Sequence, residues 1–241
     1  MKTDKIIPVI TLDGPSGTGK GTLCHMLANH LGWHVLDSGC IYRVLAYAAR
    51  QKGIAFDDIP KMVELATNLD LSFETDPHLK SKVILEGQDV FDLIRREECG
   101  QDASRIAVVP EIRQALLARQ RNFAQKPGLV TDGRDMGTVV FPDALLKIYL
   151  FASAEIRAER RYLQLKEKGI DVSLAQVVDE LNQRDARDTA RLHAPLKPAE
   201  DSVFVDTTGL TIVQAFNNVL KLLAEHGIYS SNGSFSDQLC C

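Results

Sequence analysis

The first apolar run of the chain, Ile6 to Leu12 (IIPVITL), is continuous and β-branched rather than alternating. That pattern predicts a strand buried on both faces of a parallel sheet. The run ends in Asp-Gly-Pro-Ser-Gly-Thr-Gly-Lys, and behind it Leu23, Leu27 and Leu31 recur every four residues with Met26 beside them. This predicts an amphipathic helix, closed by Gly32. Trp33 to Leu36 predicts a second short strand, which completes a βαβ unit with a right-handed crossover. Further strands are predicted at Leu129–Thr131, Leu145–Phe151 and Val203–Asp206, and helices over Pro110–Ala124, Ala154–Lys168, Ser173–Arg191 and Thr211–Glu225. Five strands alternating with helices imply an α/β fold built on a doubly wound, five-stranded parallel sheet.

Residues 38–104 interrupt the alternation. Helical patterns at Ile41–Lys52 and Ile59–Asn68 are followed by strand-like pieces at Leu71–Phe73 and Val83–Leu85. We read this stretch as an α+β insertion between the second and third strands of a core formed by residues 1–37 and 105–226. From Gly227 onward Ser, Asn, Gly and Asp accumulate without periodicity, and a flexible tail is expected.

Composition narrows the function classes. The 241 residues are 45% hydrophobic and 25% charged, a globular balance that suits one domain with an elaboration. A net charge of -4 argues against a nucleic-acid binder, so any phosphate must be met by local clusters of Arg and Lys. The longest apolar candidate, Thr138 to Ala154, is broken by Pro142, Asp143 and Lys147 and cannot span a bilayer. Met1 to Pro8 has no apolar signal core, and a cytoplasmic protein is expected. With no strongly apolar surface stripe left over, a monomer is expected. The cysteines at 24, 40, 99, 240 and 241 have no zinc-like spacing and read as reduced thiols. The Cys240-Cys241 ending has the form of a prenylation site but no polybasic segment before it.

The chemistry begins at Gly14, Pro15, Ser16, Gly17, Thr18, Gly19 and Lys20, whose glycine and lysine spacing matches a P-loop. Without bulky side chains, successive backbone N–H groups can converge on phosphate oxygens at the positive end of the following helix. Lys20 adds a mobile point charge. The strand before and the helix after are the context this motif requires. Gly21 stands where the usual P-loop has a magnesium-ligating Ser or Thr, and Thr22 comes one place late. Magnesium is therefore expected to be held by phosphates and waters, with Asp132 at the end of the third core strand anchoring those waters. Asp13, at the end of the first strand, competes for nearby polar work.

Other segments are ambiguous on the residues alone. Tyr42 and Arg43 could be ordinary core and surface. Arg134 lies between Asp132 and Asp135 at the end of a buried strand, so it forms either a structural ion pair or part of a ligand site. The apolar stripe Leu174, Val177, Val178 and Leu181 continues into Arg184, Asp188 and Arg191, which suits a cleft-lining helix or a solvated ion-pair face.

Four segments together resolve these choices. GPSGTGKGT (14–22), LDSGCIYR (36–43), TDGRDMGTVVFPD (131–143) and RDARDTARLHAPL (184–196) resemble the bacterial-type cytidylate kinases, members of the nucleoside monophosphate kinases. The resemblance extends through about residue 225, and the insertion resembles that family's enlarged monophosphate-binding domain. It implies ATP and CMP or dCMP as substrates, with Mg2+ accompanying the ATP. Gly14 to Thr22 then cradle the ATP phosphates. Ser38, Tyr42 and Arg43 belong to the acceptor site, and Arg134 and Arg191 hold the acceptor phosphate. Asp135, Ser104 and Arg113 read the cytosine, Arg184 and Asp188 lie at the ribose, and Arg187 reaches the transferring phosphate. Arg157, Arg160, Arg161, Lys166 and Lys168, within about 155–170, resemble a small lid over ATP, with Arg157 and Arg161 on the nucleotide.

A carboxylate and an Arg suit cytosine, which presents an amino donor and two acceptors; uracil lacks the donor. The implied reaction is direct in-line transfer without a covalent intermediate or general base, because the acceptor is already an ionised phosphate. Lys20 and Arg134, Arg184, Arg187 and Arg191 would supply the electrostatic stabilisation. Kinases for UMP or AMP, a non-catalytic nucleotide sensor and a nucleic-acid ATPase are the competing readings.

Overall fold

The computed structural model describes residues 7–75 and 81–228; the expected tail beyond 228 and the first residues of the chain lie outside them. In chain order the elements are β1 (Val9–Asp13), α1 (Lys20–Leu31), β2 (His34–Asp37), α2 (Ser38–Gln51), α3 (Ile59–Thr67), β3 (Leu71–Thr75), β4 (Ser81–Leu85) and β5 (Gln88–Asp89). They continue with α4 (Phe91–Ile94), α5 (Glu97–Ile106), α6 (Pro110–Arg121), β6 (Leu129–Gly133), a π-helical turn (Met136–Val140), β7 (Leu146–Phe151), α7 (Ala154–Glu167), α8 (Leu174–Thr189), β8 (Val203–Asp206) and α9 (Ile212–Glu225). Contacts divide the chain into two compact units, residues 1–36 with 121–241, and residues 37–120.

The first unit carries the five-stranded sheet, in the order β2-β6-β1-β7-β8. β1 lies parallel between β6 and β7, and β7 is parallel to β8. Every residue of β1 and of β6 is buried, which is why β1 reads as part of a long apolar run and β6 opens on Leu129 and Val130. Ile10, Leu12, Leu27, Val130, Ile148 and Leu223 anchor the core between the sheet and its helices. The strand after β1 in sequence is displaced to one side by β6, while β7 lies on the other. The carboxyl ends of β1 and β6 therefore flank the switch point where open α/β sheets bind ligands. The P-loop follows β1, and Arg134 follows β6. Gly14 has φ 144° and lies so close to Leu150 that an added Cβ would stand 2.0 Å from that residue's carbonyl oxygen, so only glycine fits the first turn of the loop.

Two local differences from the sequence pattern bear on the site. A helix was expected through Arg191, but α8 stops at Thr189, capped by the Ala190 N–H on the Ala186 carbonyl. The chain then turns back, so that the Leu196 N–H donates to the Asp188 carbonyl (2.8 Å). Arg191 thus lies in this turn rather than a further helical turn along. The π-helical turn after β6 had no sequence expectation. Its N–H groups at Met136 and Gly137 are taken by the Asp13 carboxylate, a partner far away in sequence (2.9 and 2.7 Å).

In the second unit, β3, β4 and β5 form an antiparallel sheet, and α3, α4 and α5 pack on α2. Ile41, Leu45, Met62, Ile94, Ile106 and Ile112 are fully buried. The helix over Glu97–Ile106 is amphipathic but short, and charged at its start, which hid it from the sequence pattern. The unit runs to Gln120, so Ser104 and Arg113 belong to it. No helix among the described residues is long and apolar enough to cross a membrane.

Candidate active site

The first unit builds its site from the P-loop outward. Helix α1 begins at Lys20 behind Gly19 in a left-handed conformation, with no side-chain cap and no acidic residue in its first turn. Its leading N–H groups and the positive end of its dipole are left for an anion. Lys20 is buried, and its ammonium donates to the Pro15 carbonyl (2.6 Å) and to Thr18 Oγ1 (3.4 Å). Burial and the adjacent Arg134 bring its pKa down to about 7 against the pull of Asp132. A lysine so poorly solvated gains strongly from an incoming phosphate.

Ser16 is the junction of the site. Its carbonyl accepts from Arg157 Nη1 (3.0 Å) and its hydroxyl from Arg134 Nη2 (2.7 Å), while its N–H donates to Asp185 Oδ1 (3.4 Å). Both arginines are paired to α8. Arg134 Nε meets Asp188 at 2.8 Å, and Arg157 Nη1 meets Asp185 at 2.5 Å. Asp188 also accepts from Arg191. Burial alone would raise the Asp188 carboxyl, but Arg134, Arg191 and Arg184 outweigh it and hold it below the usual range. Arg134, Asp188 and Arg191 therefore form one buried, charged cluster beside the P-loop. Asp13 holds the backbone that follows Arg134 and Asp135; burial pushes its carboxyl up to about 6, against the two N–H groups it accepts.

A family model described as cytidylate kinase matches residues 10–225. The chain belongs to the cytidylate kinase family. It is 56% identical over 216 residues to the cytidylate kinase of Aeromonas salmonicida, covering 90% of this chain and 94% of that one. It is 57% identical over 222 residues to the cytidylate kinase of Nitrosococcus oceani, covering 91% and 97%. Among solved structures, a gluconokinase from Sinorhizobium meliloti is 14% identical with a TM-score of 0.43, over 92% of this chain and 96% of that chain.

Against this membership, the residues expected to serve a cytidylate kinase site fall into two groups. In the first unit, Lys20, Arg134, Asp188 and Arg191 are joined to the P-loop as described, and Asp135 is buried at the start of the π-helical turn. Arg184 is near enough to Lys20 and Asp188 to act on the charge of both, whereas Arg187 spends its Nε on the Gln183 carbonyl of its own helix. The lid arginines divide. Arg157 is buried against the P-loop, and Arg160 reaches Thr207 and Leu210 carbonyls (2.7 and 3.1 Å), so both brace the core. Lys166 pairs with Asp171 in solvent. Thr22 is exposed, while two buried carboxylates, Asp132 near the end of β6 and Asp13 at the end of β1, act on the charge of Lys20, so carboxylate donors suited to a hydrated cation lie beside the P-loop.

In the second unit, Ser38 opens α2 and is buried, and Tyr42 is buried one turn on. The Arg113 guanidinium lies 5.5 Å from the Tyr42 ring centroid and donates to the Ala107 carbonyl. Ser104 Oγ is buried with no hydrogen-bond partner among the described residues, an unusual state for a hydroxyl and one that suits a ligand contact. Arg43 donates to the Ile94 and Arg96 carbonyls, and Gly100 leaves room for its guanidinium.

Two residues of the site escaped the sequence reading. Asp13 was seen only as a competitor, and Asp185 had no role. The available signal was the spacing of Asp185 and Asp188, three apart on α8, with an arginine next to each.

Proposed function

We propose that the protein transfers the γ-phosphate of ATP to CMP or dCMP, giving CDP or dCDP and ADP. One observation carries this reading: in a chain of the cytidylate kinase family, Ser16 ties an uncapped P-loop to the buried Arg134–Asp188–Arg191 cluster. An anion-binding loop for the donor and a set of guanidiniums for an acceptor phosphate are what transfer between two phosphates requires.

The residues act by positioning and charge. The α1 N-terminus and Lys20 hold the donor phosphates, with Lys20 leaving the Pro15 carbonyl for them. Arg134 and Arg191 take the acceptor phosphate and cancel the repulsion that would otherwise keep the two phosphates apart. Asp135, Ser104 and Arg113 read the cytosine edge, with Arg184 at the ribose and Arg187 at the transferring phosphate. Asp132 is suited to hold Mg2+ through water, and the ion, carried in by the ATP phosphates, would neutralise part of their charge. Residues 38–104 serve as the acceptor-binding insertion. The protein is read as a cytoplasmic monomer.

The test is turnover of CMP, dCMP, UMP and AMP, offered separately with ATP and magnesium. Formation of CDP and dCDP, with UDP slower and no ADP gained from AMP, is the expected result. Tight ATP binding without phosphorylation of any acceptor would replace the enzyme by a nucleotide sensor.

The pH profile gives a second expectation. In the free protein Lys20 loses its proton as pH rises through about 7, whereas bound phosphates favour the ammonium. kcat/KM for ATP should therefore fall above neutrality while kcat, which reports the complex, holds to higher pH. A kcat/KM that stays flat from about pH 6 to about pH 9 rejects the assignment of Lys20 to the free-enzyme ionisation.

A further inference from the structure

We propose that Asp185 is a positioning residue of the donor site, which holds Arg157 on the Ser16 carbonyl and thereby orients the backbone N–H groups of the P-loop towards phosphate. The inference rests on the kinase reading for its ligand, ATP. Arg157 is buried, and its guanidinium is committed on several sides: Nε to the Ala152 carbonyl (3.2 Å), Nη1 to the Ser16 carbonyl (3.0 Å) and to Asp185 (2.5 Å). Asp185 is the carboxylate paired with it, and Asp185 Oδ1 also accepts the Ser16 N–H (3.4 Å). Both ends of Ser16's backbone are thus set by this one ion pair.

Planarity makes the consequence specific. In a trans peptide the carbonyl oxygen and the next N–H point in opposite directions. An arginine gripping the Ser16 carbonyl from behind the loop turns the Gly17 N–H to the other side. Gly17 has φ 82°, and an added Cβ would stand 2.9 Å from Arg157 Cβ, so α7 is pressed directly against this peptide. The second pair from α8, Asp188 with Arg134, reaches only the Ser16 side chain. The two carboxylates therefore divide the work: Asp188 serves the acceptor cluster and Asp185 the donor loop.

The test separates these roles by equilibrium binding, which needs no turnover. Asp185→Asn keeps the shape of the side chain and removes its charge. Titration calorimetry should show the Kd for ATP raised about tenfold, with the Kd for CMP within about threefold of wild type. Arg157→Lys keeps the charge but loses the planar fork, and should show the same split. The double variant should lose little more than the worse single one, because both substitutions break one relay. A merely structural pair would lower the melting temperature and leave both Kd values of the folded protein unchanged. An ATP Kd within about twofold of wild type in whichever of the two variants folds overturns the proposal. Wild-type protein that binds ATP but phosphorylates nothing would defeat the kinase reading and leave this binding test intact.

Discussion

Replacing Lys20 with Ala is expected to lower kcat about 10³-fold, near 4 kcal/mol of transition-state stabilisation. The size follows from where the charge sits. Lys20 is buried at the N-terminus of α1, where the dielectric is low and its ammonium lies on the Pro15 carbonyl. Its ammonium is already poorly solvated, so moving it from two oxygen partners to a phosphate costs little reorganisation. Stability should respond in the opposite direction. A lysine with its pKa brought down from 10.5 to about 7 costs folding free energy in full below about pH 7, and the cost falls away as pH rises towards 10.5, because over that range only the unfolded chain keeps the proton. The Ala variant should therefore unfold at least as high as wild type at pH 7 while losing turnover. Rapid phosphorylation of CMP by Lys20→Ala, or a fall in its melting temperature matching the lost activity, would contradict this account.

Asp188→Asn is expected to damage both stability and acceptor binding. Its carboxylate is the shared counter-charge of Arg134 and Arg191, and the side chains of all three are at most 14% exposed. Removing one partner from such a cluster leaves guanidiniums buried without compensation, at a cost of about 3 kcal/mol. Arg134 would also lose the partner that aims it, and with it the geometry at Ser16. kcat/KM for CMP should fall about 10²-fold, with the ATP Kd changed much less. Because Asp188 titrates below its ordinary 3.8 in the folded protein, its contribution is complete above that value and is lost as pH falls through the lower folded pKa. The stability gap between wild type and Asp188→Asn should accordingly narrow in acid below about pH 4. Chemical denaturation at neutral and acid pH measures this, and an unchanged gap would show that the carboxylate's charge is not what stabilises the cluster.

Much of this architecture was legible in the sequence because it is written in local patterns. The apolar, β-branched run ending at Leu12 is typical of a strand buried on both faces, and the leucines behind Lys20 recur at the spacing of a helix with one apolar side. The glycines at 14 and 17 mark a loop that must pass close to other backbone, and the structure identifies that backbone as Leu150 and Arg157. Motif spacing likewise brought Lys20 into view, whereas Arg134, Asp188 and Arg191 were ambiguous on the residues alone and gained their roles from the resemblance to the cytidylate kinases.

What the tertiary structure decided is which charges belong to each other. Arg157 reads in the sequence, through the resemblance, as a lid arginine on the nucleotide, and only the packing of α7 against the P-loop makes it the support of Ser16. Asp13 and the turn at Met136 and Gly137 are over 120 residues apart, so no periodicity could have joined them. Arg191 escaped its expected helix because Asp188 and the returning Leu196 N–H favour a turn over a further helical residue. The physical reason is common to the first two. Hydrophobic periodicity is a short-range signal fixed by backbone geometry, whereas the partner of a buried charge is chosen by long-range packing that brings distant residues within about 3 Å.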